Sequence, residues 1–161
     1  MAKQQPIEIF MPPNILKAKV GSAGAVSGFD IAAIRRGEAA MDALKSEFGG
    51  WLASDVTRLL ESRDTYAAAP TTEHRGDLFR AAHDLKGQAD TYGYPLIARM
   101  AASLTKLLEE IGSKTVPFGL ADAHVAAIRI VFRDKITAAD DPTASALASE
   151  LEARVREELA G

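Results

Sequence analysis

The chain has 161 residues, 47% of them hydrophobic and 25% charged, with 19 Lys and Arg against 22 Asp and Glu for a net charge of −3. That is the size of one domain with a loose end and the composition of an ordinary globular protein. With no cysteine, a disulfide framework, a thiolate metal site and a cysteine nucleophile are excluded, and the slight acidic excess argues against nucleic acid as a partner.

No apolar run approaches the roughly 18 residues of a membrane span. The opening MAKQQPIEIFMPPN carries Glu8 and prolines where a signal peptide needs an apolar centre. A cytoplasmic location and no membrane association are therefore expected. The chain is also too short to hold a nucleotide-dependent kinase domain beside a helical one.

Residues 1–29 read as an extended or partly ordered tail: Pro6, Pro12 and Pro13 break helices, and Gly21, Gly24 and Gly28 sit in a small-residue stretch. Ile7, Ile9, Phe10, Met11, Ile15, Leu16 and Val20 make it more apolar than a solvated linker. It either lies along the body or serves as a docking peptide. The helical domain is expected over 30–161. Ser27 and Asp30 fit a capping box, and helical sequence then runs to about Ala68, with Leu44, Phe48, Trp51, Leu52, Val56, Leu59 and Leu60 forming an apolar stripe. Gly37 suggests a break into a short and a long helix, and Gly49-Gly50 a bend or close crossing.

Pro70-Thr71-Thr72 reads as a turn and N-cap, followed by a helix from about Glu73 to Tyr92 with Leu78, Ala82, Leu85, Ala89 and Tyr92 on one face. Gly93 and Pro95 end that helix and start the next, which carries Leu96, Met100, Leu104, Leu107, Leu108 and Ile111 up to Gly112. Val125, Ile128, Val131, Phe132 and Ile136 mark another helix, and Asp141-Pro142 opens a last one over about 142–159. No segment alternates with period two. The expected fold is all-α: an antiparallel four-helix bundle, its core over about 38–137, with an additional short N-terminal or C-terminal helix. A bundle that closes on itself is expected to be a monomer.

Three histidines are present: His74, His83 and His124. A bundle metal site takes Glu-x-x-His, but the residues three before them are Thr71, Arg80 and Ala121, so no metal or cofactor is expected. His74 and His124 read as a surface and a boundary residue. His83 differs. With Leu78, Ala82, Leu85 and Ala89 inward, it lies about 160° from Leu85 and about 100° from Ala82, on the solvent side. Phe79, Arg80, Lys86, Gly87 and Asp90 share its face. A large ring near the surface and a mid-helix glycine are odd on a merely solvated face. An exposed neutral imidazole is a competent nucleophile toward an activated phosphoryl group, and Lys86 and Arg80 supply positive charge for its oxygens. No hydrolytic triad or phosphate-binding glycine loop accompanies it. From the residues alone, His83 is either a phosphoryl carrier or a surface histidine without a role.

The run from Phe79 through His83-Asp84-Leu85-Lys86-Gly87-Gln88 to Gly93-Tyr94-Pro95-Leu96 closely resembles the active-site helix of histidine-containing phosphotransfer domains. The family shows an exposed histidine, a leucine two residues on, Lys-Gly, and a glycine near the helix end. Gln88 stands where serine is frequent. The opening segment and texture resemble small stand-alone members from alphaproteobacteria. The resemblance implies a phosphorelay intermediate that accepts a phosphoryl group on His83 from a receiver-domain aspartyl phosphate and passes it to another receiver. It is a carrier and not an independent kinase, with Lys86 as electrostatic partner and Gly87 as clearance residue. Docking is expected through Phe79, Arg80, Ala82, Gly87 and Asp90. Partners would be response-regulator receiver domains and a hybrid histidine kinase, with Mg²⁺ held by the receiver. Two rival readings are a non-catalytic adaptor that binds receivers, and a sensor-kinase dimerisation module, whose phosphoacceptor histidine is followed by an acid as His83 is by Asp84.

Overall fold

The computed structural model describes residues 31–112 and 115–161. The tail assigned to 1–29 and the Ser27–Asp30 cap lie outside the described residues. The chain divides into two compact units, 1–40 and 41–161, and everything below concerns the second unless stated. Among the described residues there are five helices: α1 (Ile31–Ala68), α2 (Thr72–Gln88), α3 (Pro95–Glu110), α4 (Phe118–Arg133) and α5 (Pro142–Ala160). There is no strand among the described residues.

Local signals set most of the boundaries. Thr71 caps α2 by accepting from the backbone N–H of His74 at 3.1 Å, and Glu73 and Lys86 stand at the ends where the helix dipole favours their charges. After Gln88 the chain continues in turns to Gly93, whose φ of 84° is open to glycine at little cost. The Gly93 N–H donates to Asp90 O at 2.9 Å and the Tyr94 N–H to Ala89 O at 2.8 Å, the paired bonds of a Schellman closure. Pro95 then opens α3. Asp141 caps α5, accepting from the Ala144 N–H at 2.8 Å.

α3 is the central element. Ile97, Met100, Ala101, Leu104 and Leu107 are fully buried, and the helix packs against α2, α4 and α5. Around it close Leu52, Val56 and Leu59 of α1, Leu78 and Leu85 of α2, Val125 and Ile128 of α4, and Leu151 and Val155 of α5. α1 to α4 alternate in direction: Arg58 meets Asp84, Arg63 meets Asp122 and Ser103 meets His124. The fold is thus an all-α bundle with an additional helix. That helix, α5, has 19 residues, lies along α3 and is tied to it by the bidentate Arg99–Glu152 pair at 2.7 Å.

α1 departs from its expected form at its glycines and in its apolar stripe. It is one continuous helix through Gly37, Gly49 and Gly50, and nothing lies within 4 Å of where a Cβ would stand on any of them. They mark neither a break nor a close crossing. Leu44 and Trp51, expected in the inward stripe, are exposed, and burial begins at Leu52. Ile136 lies past the end of α4.

Candidate functional site

α2 turns one face to the core and the opposite face to solvent. Leu78, Ala82, Leu85 and Ala89 are each fully buried, which fixes the helix's rotation. His83, Lys86, Gly87 and Asp90 are then exposed together. The His83 ring makes no hydrogen bond among the described residues. It stacks on Phe79 one turn earlier, with centroids 5.9 Å apart and planes at 27°. Phe79 is half-buried and packs against the core from its other side, so it anchors the imidazole while leaving its nitrogens open to solvent. Lys86 makes no ion pair among the described residues, and its ammonium is available to an incoming anion. A Cβ on Gly87 would meet nothing within 4 Å. The glycine serves no packing need inside the unit, and the space one turn beyond the histidine is open.

Two expected docking residues are placed differently. Ala82 is fully buried against the core and does not belong to the outer face; at about 100° from His83 it falls on the inward side of the helix. Arg80 is exposed but held by Asp77, three residues earlier on α2. That pair borders a charged groove between α1 and α2, lined also by Arg58, Glu61 and Asp84, which does not include His83. Asp84 is drawn to Arg58 at 2.9 Å, so the carboxylate next in sequence to His83 is engaged with α1. On α1, burial and the nearby Asp84 charge push the Asp55 carboxyl above its ordinary range although Arg58 opposes them.

Phe48, Trp51 and Tyr92 form an aromatic group with centroids 5.3–6.3 Å apart, and the Tyr92 hydroxyl donates to Gln88 Oε1 at 2.7 Å. Gln88 thus holds the ring of Tyr92, and the aromatic group, which sequence reading missed, joins α1 to the turn after α2.

The other histidines are structural. His74 is half-buried, and its Nδ1–H donates to Ala69 O at 2.7 Å. His124, expected at a boundary, is fully buried. Its Nδ1 faces Leu120 O at 2.8 Å and therefore carries the proton, since a carbonyl only accepts. Nε2 then accepts from the Ser103 hydroxyl at 2.9 Å. Burial pushes the His124 pKa down from its ordinary value, against the Leu120 carbonyl and the Glu152 charge. Among the described residues no three His, Asp or Glu side chains are grouped to hold a metal ion, and no helix is long and apolar enough to cross a membrane.

Residues 43–154 match the Hpt domain family, and the chain belongs to it. Hpt domains mediate phosphoryl transfer between receiver domains in phosphorelays and are not independent kinases. No curated protein and no solved structure matches the chain. The matched region runs from α1 into α5, so the last helix is largely within it.

Proposed function

We propose that His83 is the residue on which this phosphorelay intermediate carries its phosphoryl group. The observation that supports it best is the outer face of α2: an unbonded imidazole steadied by Phe79, an unpaired ammonium at Lys86, and open space at Gly87. The receiver's aspartyl phosphate approaches that face. The lone pair of an imidazole nitrogen attacks phosphorus in line, the N–P bond forms as the acyl O–P bond breaks, and the receiver's aspartate leaves as a carboxylate. The reverse sequence delivers the group to a second receiver. Lys86 offsets charge on the phosphoryl oxygens, and the receiver brings its own lysine and Mg²⁺. What this chain contributes is position and charge compensation.

The docking surface is Phe79, Lys86, Gly87 and Asp90, with Arg80 at its edge. The phosphoryl donor is the receiver of a hybrid histidine kinase, and exchange takes place in the cytoplasm. Incubation of His83→Gln with a phosphorylated receiver tests the assignment: complete loss of acid-labile, base-stable label with an unchanged helical spectrum is expected. Label retained on that variant refutes it.

A further inference from the structure

Where α1 ends and α2 begins, a cavity of about 320 Å³ opens between that turn and the segment leading into α4. Its apolar wall is Pro70, Val116 and the ring of Tyr66, which tilts against Phe118 with centroids 6.4 Å apart. Tyr66 is only 5% exposed, yet its hydroxyl makes no hydrogen bond among the described residues. Arg63 Nε is the one buried side-chain polar atom without a hydrogen-bond partner among those residues. The Tyr66 hydroxyl is therefore not sealed in: it opens into the cavity that the residue lines. A buried tyrosine hydroxyl usually bonds within the protein; this one is left to meet whatever enters.

Other donors surround it. The N–H groups of His74 and Arg75 turn back to Thr71. Those of Thr72 and Glu73 make no hydrogen bond among the described residues, and they stand at the positive end of a 17-residue helix. Arg75 lines the cavity. It donates from Nη1 to Gly112 O at 2.7 Å and makes no ion pair among the described residues, so its charge and its Nη2 are uncommitted. Glu73, the acid of that first turn, is exposed and does not line the cavity. We propose that this cavity binds the phosphate group of a small phosphomonoester through the Tyr66 hydroxyl, the Arg75 guanidinium and the first N–H groups of α2. Three donor groups suit the three terminal oxygens of a phosphomonoester better than the two of a carboxylate. The volume leaves room for a short organic chain against Pro70 and Val116. Thr72 precedes His83 by eleven residues, about 16 Å along the helix axis. The site is therefore separate from the outer face of α2, and it stands whether or not His83 is the phosphoacceptor.

Calorimetric titration of the full chain with glycerol 3-phosphate, and with glycerate as a carboxylate of similar size, tests this. Saturable binding of the phosphomonoester is expected within the millimolar range, with glycerate at least about tenfold weaker. Tyr66→Phe keeps the ring against Phe118 and removes only the hydroxyl. It should weaken binding about five- to tenfold with the unfolding midpoint unchanged. In amide NMR spectra the Thr72 and Glu73 signals should move as glycerol 3-phosphate is added. Absence of saturation, equal affinity for glycerate, or undiminished binding by Tyr66→Phe overturns the proposal. So do shifts confined to the face around His83 and Lys86, which would place the anion there.

Discussion

His83 and His124 are the same side chain set in opposite surroundings within one small bundle. One stands in solvent on α2 with both nitrogens uncommitted. The other sits between α4 and α3 with both nitrogens bonded and its charged form penalised by burial. Both are reachable by the same arithmetic of 3.6 residues per turn, and it is packing that makes one ring a candidate nucleophile and the other a strut. The comparison also separates what each should tolerate. Changes around His83 should alter transfer and spare the fold; changes at His124 should do the reverse.

Gly87→Leu is the sharpest way to break that separation. The Cβ position is empty, and leucine favours a helix over glycine by roughly 0.8 kcal/mol, so stability should rise slightly. Transfer from a phosphorylated receiver should meanwhile fall by about a hundredfold, because the added side chain fills the approach to His83. Transfer at the wild-type rate would show that the clearance is not used. His124→Ala should do the opposite. It removes a buried ring and leaves the Ser103 hydroxyl without its acceptor, costing about 2–4 kcal/mol in denaturant unfolding, with label still accepted on His83 once folded.

Lys86→Ala should slow transfer by about three- to tenfold without shifting the unfolding midpoint, since an exposed ammonium contributes chiefly to charge at the site. Rapid-quench kinetics decide this, and an unchanged rate removes the electrostatic role. The smallest effect is a pH dependence. The folded chain holds the His124 pKa below its ordinary 6.5, so below about that pH the unfolded chain binds the extra proton and stability declines. The decline ends once pH passes below the folded value. Thermal melts should show this slope in the wild type and a flatter one in His124→Gln, a side chain that does not titrate.

Much of this was legible in the sequence, for identifiable reasons. Thr71, Gly93, Pro95 and Asp141 announce helix ends through backbone preferences that hold wherever they occur. Leu78, Ala82, Leu85 and Ala89 fix the rotation of α2, and with it the outward direction of His83. Ala82 shows the limit: a methyl group at about 100° from the histidine falls on either side of a boundary that only the neighbouring helices draw. Leu44 and Trp51 show another, since apolar spacing reveals a stripe and not what covers it. His124 needed its partner, and Ser103 is 21 residues away on another helix. The three glycines of α1 misled because a helix tolerates each at a cost of about 1 kcal/mol.

The Arg58–Asp84 contact has a consequence in time. On the proposed assignment, the acid beside the phosphorylated ring is turned toward α1 and bonded there, so it is not poised to activate water against the N–P bond. Hydrolysis is then left to the solvent, and the label persists between encounters. Such a molecule behaves as a short-term store, and how long a stimulus is remembered depends on how often a receiver comes to collect.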